Sequence, residues 1–346
     1  MSRVTVREFH ESDLPQVLQG YAQVFGEHAA EQFDRRRGWS LEHNPCPADV
    51  HRWVLVDGER VVGFLAALPQ YYTICGQPLV AYTPCDYLVA PEYRFHGLQL
   101  MKTFVKQCPN CVTFEDVEAT IGVNKWLGIK PVTAFDCYVL PLGPRGVWLQ
   151  LDSATPAELV RSLIKGMVQG RDAHRHVQPV GDFDDSFDRF AFELSERVPA
   201  TMHRGCNYLR WRYRGDSPQA ACTVVAVRRS DGGIDGYAVL HAYRRGAKRG
   251  DILDLAVMPG DVKTARMLLG YAVAHFRRQM VASVRYRGVL PAHSATREAL
   301  RACGFRPAHS LLQLMVKLQS AEHMTVAQQA HNWSLSFGDT ENSYSK

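Results

Sequence analysis

From Val4 to Phe9 apolar and polar residues alternate, the pattern of a half-buried edge strand. Ser12 and Asp13 then open a helix whose Leu14, Val17, Leu18, Tyr21 and Phe25 fall on one face. A second, polar helix ends at Arg35 to Gly38, and Asn44-Pro-Cys-Pro47 reads as a loop. Trp53 to Val56 and Val61 to Leu68 flank Asp57-Gly58, the signal of a tight hairpin. Gln77-Pro78 predicts a further turn, and Val80 onward a strand that runs into Tyr87 to Ala90. Pro91 closes that strand, because proline offers no N–H to a ladder. Leu98, Met101 and Val105 recur at helical spacing, with Lys102 and Lys106 for the polar side. Cys111 to Glu115 is a strand, a short helix carries Asn124 to Leu127 up to Gly128, and Val132 to Leu142 is the last strand of this half.

The corner between Ala90 and Leu98 has the makings of an anion site. A strand, a tight loop with Arg94 and Gly97, and a helix start bring backbone N–H groups and the positive helix end together. The stretch resembles the pyrophosphate loop of the GNAT acetyltransferase superfamily, Arg/Gln-x-x-Gly-x-Gly/Ala. Here it reads Arg94-x-x-Gly97-x-Gln99, with glutamine in place of the last small residue. Asn124-Lys-Trp-Leu-Gly-Ile129 resembles the family's second signature, a helix ending in Gly-Phe, and the likeness covers about residues 3 to 142. It implies an α+β fold with a mixed, mostly antiparallel sheet flanked by helices. It also implies acetyl-CoA as cosubstrate, held by Leu88, Val89, Ala90, Arg94, Phe95, His96, Gly97, Leu98, Gln99 and Asn124. Many relatives place a tyrosine acid where this chain has Asn124, which leaves Tyr138 or Tyr87 as substitutes.

The second half repeats landmarks of the first. Gly63 in Val62-Gly-Phe-Leu65 has a counterpart in Gly236 of Asp235-Gly-Tyr-Ala238, Pro91 and Pro259 close strands, and Gly128 and Gly304 sit in Leu-Gly-Ile-Lys-Pro and Cys-Gly-Phe-Arg-Pro; these pairs lie 173, 168 and 176 residues apart. Near-equal offsets in the same order predict two copies of one fold. The expected organisation is a first GNAT domain over 1–144, a helical connection over 145–214, and a second, degenerate copy with a tail over 215–346. Pro156 to Leu159 and Phe183 to Arg197 supply helices of the connection. In the tail, alternating Trp333, Leu335 and Phe337 predict a docked strand, and Glu341 to Lys346 a frayed end. Asp261 puts a negative charge where a diphosphate would sit in the second copy, so acyl-CoA is assigned to the first.

The net charge of +5, from 40 Lys+Arg against 35 Asp+Glu, favours small anionic ligands and is too small to argue for nucleic acid. No apolar run reaches the ~20 residues a membrane helix needs, and the start lacks a signal-peptide core. Of nine cysteines most lie in apolar runs, as Cys75, Cys137 and Cys222 do. Cys108-Pro-Asn-Cys111 has no second ligand pair, so no metal is expected, and the cytoplasm is the expected compartment. A monomer and a homodimer are both compatible with the sequence.

Acyl transfer to an amine needs a base and donors for the oxyanion. The resemblance points to a backbone N–H near Leu88 to Ala90 for the oxyanion. Carboxylates at the ends of these strands, Glu115 first and then Asp116 and Asp86, are the candidate bases, with His96 better suited to the phosphate loop. Tyr208-Leu-Arg-Trp-Arg-Tyr-Arg214 interleaves arginines with aromatics. Arg210, Arg212 and Tyr213 suit a nucleotide-linked substrate, while the same spacing suits an amphipathic helix with Trp211 in the core. The expected function is N-acetyl transfer from acetyl-CoA to a small-molecule amine, an amino sugar of surface-polysaccharide synthesis above all. A protein or antibiotic amine, and a CoA-sensing GNAT without turnover, remain open.

Overall fold

The computed structural model describes residues 4–46, 48–148, 155–168, 176–243, 249–291 and 294–343. The first half runs β1 (Thr5–Glu8), α1 (Leu14–Phe25), α2 (Glu27–Arg37), β2 (His51–Asp57), β3 (Arg60–Ile74), β4 (Gln77–Val89), α3 (Leu98–Gln107), β5 (Cys111–Glu115), α4 (Glu118–Trp126), β6 (Lys130–Ala134) and β7 (Asp136–Pro141). α5 (Pro144–Trp148) and α6 (Pro156–Val168) follow. The second half runs β8 (Val177–Pro179), α7 (Asp185–Arg197), β9 (Ala200–Met202), α8 (Cys206–Tyr213), β10 (Thr223–Arg228), β11 (Ile234–Ala242), β12 (Arg249–Val257), α9 (Val262–Arg278), β13 (Ser283–Val289), α10 (Ala295–Ala302), β14 (Arg306–Ala308) and β15 (Gln313–Lys317). α11 (Ala321–Ala327) and β16 (Trp333–Ser336) form the tail.

Period-two alternation builds the first half as a sandwich. On β2, Trp53 and Leu55 pack with Leu100, Met101 and Phe104 of α3, while Val54 and Val56 pack with Val17, Tyr21 and Phe33 of α1 and α2. The sheet thus separates α1–α2 from α3–α4. Two details differ from the sequence pattern. The β3–β4 turn is Cys75-Gly76, both at positive φ (54° and 73°), and Gln77 and Pro78 already belong to β4. Cys75 is exposed there rather than buried in an apolar run. The expected strand over Val132 to Leu142 is two strands broken at Phe135, whose N–H donates to Leu312 O at 2.8 Å. A continuous apolar pattern does not reveal that a strand changes partners.

That change of partners joins the two copies. β6 pairs with β15, which lies between β6 and β5, whereas β7 pairs with β13 and β14. Each half therefore lends its last strand to the other half's sheet, and Met315 of β15 is buried in the core of the first half while Tyr138 and Leu140 of β7 are buried in that of the second. The repeat landmarks coincide in space as well. Gly63 pairs with Val89 and Gly236 with Val257; a Cβ on either would press on the neighbouring backbone carbonyl, 2.9 Å from Leu88 O and 2.6 Å from Ala256 O. Gly128 and Gly304 both take φ near +85°, 84° and 88°. β8 pairs with β10 as β1 pairs with β2, and β8 lies within the stretch expected to be helical connection.

The tail differs most from expectation. Trp333, Leu335 and Phe337 are buried, as a docked strand requires, but the docking place is a cleft. β12 and β13 run parallel for four pairs, from Arg249↔Ser283 to Ile252↔Tyr286, and then part. Into that gap goes the tail, with Leu335 and Ser336 paired to Val289 and Gly288, and Ser336 Oγ accepting from Leu255 N at 3.4 Å. Asp339 is clamped by Arg204 (Nε–Oδ1 2.8 Å), and Arg287 lies over the Phe337 ring at 3.1 Å. Residues 341–343 form a further 3-10 turn with Ser343 buried, so the end is not frayed there; 344–346 lie outside the described residues. Gly338 is required in this plug, since an added Cβ would overlap the Tyr213 hydroxyl and sit 3.0 Å from Leu253 O. Gly338→Ala is expected to cost about 1–3 kcal/mol, the usual result of overpacking, read as a lower urea midpoint at unchanged slope.

Candidate active site

The corresponding gap in the first half is open. β4 and β5 share a single parallel pair, Tyr82↔Cys111, stitched by Thr83 Oγ1 to Val112 O at 2.7 Å. Beyond it the strands diverge around a cleft of about 730 Å3. Pro84 to Tyr87 form one wall, Glu115, Val117, Thr120 and Val123 the other, and Tyr21, Phe25 and Arg36 of α1–α2 the far side. The bulge that opens β4 is visible in its register with β3, which shifts between Phe64 and Ala66, and in the positive φ (55°) of Asp86. Arg36 pairs with the Asp86 carboxylate and ties α2 to this bulge, so Asp86 is a clamp. Leu88 to Ala90 continue the strand beside β3, with Ala90 N donating to Val62 O at 2.9 Å.

Pro91 to Gly97 wind as tight turns into α3. The amides of Tyr93, Arg94, His96 and Gln99 are used inside these turns. Arg94 is exposed, its guanidinium 4.8 Å over the equally exposed Phe95 ring. Gly97 starts α3 against β4, where a Cβ would overlap the Tyr87 hydroxyl and lie 2.8 Å from Val89 Cγ2. Gln99 turns its side chain back to His96, Nε2 to Nδ1 3.2 Å. Leu98 leads the first turn of α3, in which Gln99 N and Leu100 N donate to His96 O and Gly97 O at 2.9 Å and 3.1 Å.

Glu115 closes β5 at the cleft. Its Oε1 accepts from Thr113 Oγ1 (2.6 Å) and Asn124 Nδ2 (3.1 Å). Burial raises its pKa, those two hydrogen bonds oppose the rise, and the Asp116 charge adds to it. Asn124 is thus a fully buried support for Glu115. Asp116 is partly exposed and does not line the cleft. Cys85 does line it, and burial holds its thiol protonated.

Glu341 was missed by the sequence reading and lines the same cleft. Burial first, and the Glu115 charge second, push its pKa up to about 8. The hint lay in the tail itself, since a docked strand ending at Phe337 holds the next few residues near the body. Arg212 shows how. It is fully buried and donates to Gly338 O (2.8 Å), Thr340 O (2.5 Å) and Ser343 Oγ (2.7 Å). Tyr213 is core, and Arg210 is paired with Asp182 at 3.1 Å. Burial takes Arg212 and Tyr213 out of reach of a substrate; the stretch is a helix with Trp211 buried and stacked on Trp39 at 4.7 Å, but the buried Arg212 shares that interior, so the arginines do not share one polar face. Tyr138 sits on β7 in the second sheet, away from this cleft. Cys108 and Cys111 are buried, and among the described residues no group of three or more His, Cys, Asp or Glu is placed to hold a metal ion. Among the described residues no helix is long and apolar enough to cross a membrane.

A splayed parallel strand pair thus lies beside a basic turn at the next helix start, with a carboxylate at the end of the gap. Residues 5–111 match the family model described as the acetyltransferase (GNAT) domain, and the protein is an acyltransferase. No curated protein matches the sequence. Among solved structures, a GCN5-related N-acetyltransferase from Anabaena variabilis is 15% identical, with a TM-score of 0.64, over 91% of this chain and 72% of that one. A probable N-acyltransferase from Enterococcus faecalis is 12% identical (TM-score 0.62), over 93% and 74% of the two chains. N-myristoyltransferase from Saccharomyces cerevisiae, with bound myristoyl-CoA, is 12% identical (TM-score 0.57), over 92% and 79%. These likenesses extend over both halves and concern the fold.

Proposed function

We propose that the chain transfers an acetyl group from acetyl-CoA to the primary amine of a small molecule, in the cytoplasm, with an amino sugar as the leading acceptor class. The observation that carries this reading is the open β4–β5 cleft with Glu115 at its end. CoA phosphates meet Arg94 and the Gly97 end of α3, the pantetheine arm lies along the free edge of β4, and Glu115 takes the proton that an ammonium acceptor must lose before attack. A polar recess of about 340 Å3 adjoins the cleft through Gln32 and Arg36 and includes Asp216, Gln219 and His241, a lining suited to a hydroxyl-rich acceptor. The nucleotide-linked form of that acceptor loses the support of Arg212 and Tyr213. The apolar surfaces of Phe25, Met101, Val117 and Val123 favour a second reading, an acyl chain longer than acetyl.

Thiol release from acetyl-CoA and octanoyl-CoA, measured against glucosamine, UDP-glucosamine, spermidine and a lysine peptide, tests both. The expected result is release stimulated by glucosamine. CoA binding with no amine accelerating release from either donor would instead support a CoA-sensing protein.

A further inference from the structure

We propose that Glu341 is the general acid of acyl transfer, the group that protonates the CoA sulfur as the thioester C–S bond breaks, while Glu115 accepts the acceptor's proton. This rests on the acyltransferase reading of the β4–β5 cleft. Two carboxyl groups from distant parts of the chain line that one cleft. Glu115 comes from the end of β5. Glu341 is delivered by the tail, held on several sides: by Arg212 at Thr340 and Ser343, by Gln219 Nε2 on Ser343 O at 2.7 Å, and by Asn342 Nδ2 on Phe114 O at 3.1 Å, next to Glu115 in sequence. The same tail that fills the second cleft therefore completes the first.

Their surroundings divide the labour. Glu115 has two donors on one oxygen, which favour its charged form. Glu341 faces the like charges of Glu115 and Asp116, with Arg212 the cation that moderates them; Cys85 and Tyr72 lie within its field, and the Arg36–Asp86 pair stands across the cleft. The donors on Glu115 favour its charged form, while Glu341, pushed up to about 8, holds its proton more tightly. Pairs whose surroundings push them apart in this way supply the base and the acid of one reaction. Tyr87 is the rival acid, but its hydroxyl abuts Gly97 at the phosphate end of the cleft.

The protons balance. The ammonium acceptor gives one proton to Glu115, and the free amine attacks the thioester carbon. As the tetrahedral intermediate collapses, the C–S bond breaks and Glu341 gives its proton to sulfur. The surplus proton on the new amide nitrogen returns to Glu341, and Glu115 releases its own to water. Turnover then falls on the acid side as Glu115 is protonated, and on the alkaline side as Glu341 loses its proton near pH 8.

The test is the pH dependence of kcat with acetyl-CoA and the most active amine of the panel above, for the wild type, Glu341→Gln, Glu341→Asp and Tyr87→Phe. Glu341→Gln is expected to lower kcat by about 10²-fold, to abolish the fall near pH 8, and to leave the KM for acetyl-CoA nearly unchanged. Glu341→Asp should restore part of the rate, and Tyr87→Phe should keep the alkaline fall. Persistence of that fall in Glu341→Gln would overturn the assignment. So would a joint loss of kcat and acetyl-CoA affinity, the mark of a displaced tail. A wild-type protein that turns over no amine overturns the acyltransferase reading itself, and this assignment with it.

Discussion

Glu115→Gln is expected to lower turnover by roughly 10²–10⁴-fold, the usual worth of a positioned base, with CoA affinity nearly unchanged. The amide keeps the shape and can still meet Thr113 and Asn124, which hold the present carboxylate at 2.6 Å and 3.1 Å. What it loses is the capacity to take a proton. Burial raises the pKa of Glu115 and so brings its affinity for protons closer to the working pH, while its hydrogen bonds from Thr113 and Asn124 oppose that rise. Asp116→Asn changes a residue outside the cleft wall and should cost less. Asp86→Asn breaks the pair with Arg36, so its effect should appear in stability before turnover. Turnover of Glu115→Gln within a few-fold of wild type would remove Glu115 from the mechanism.

Gly97→Asp is expected to abolish CoA binding. The new Cβ has no room between Tyr87 and Val89, and the new carboxylate faces the place assigned to the diphosphate, where like charges repel. Gly260 is the counterpart beyond β12 in the second half. It takes φ +84° and an added Cβ would meet nothing within 4 Å, so Gly260→Asp should cost roughly 1–2 kcal/mol of backbone strain and leave CoA affinity intact. Isothermal titration of both variants with CoA distinguishes them. Equal weakening by the two would reverse the assignment of the halves.

Much of the fold was legible because local patterns carry it. The β2–β3 hairpin followed from Asp57-Gly58, and the α1 face from Leu14, Val17 and Tyr21. The duplication was legible from Gly63 and Gly236, and from Gly128 and Gly304, because each has a backbone reason to be glycine. The exchange of β7 and β15 was not legible, since an apolar strand fits either sheet equally well and only partner geometry decides. Arg212 misled for a related reason: a guanidinium that can grip a phosphate can as well satisfy the carbonyls of a buried turn, and here it holds Gly338 and Thr340. Asn124 looked like a lost acid and is a support for Glu115. Glu341 was hidden because its role depends on where the tail docks, a contact across more than two hundred residues with Phe114.

The most direct test of the account is electron density from crystals grown with CoA. The account predicts one CoA per chain, with its pantetheine arm between β4 and β5, its diphosphate on the Arg94–Gly97 turn, and Trp333 to Asp339 still seated between β12 and β13. Density for CoA between β12 and β13, with the tail displaced and the β4–β5 cleft empty, would contradict it.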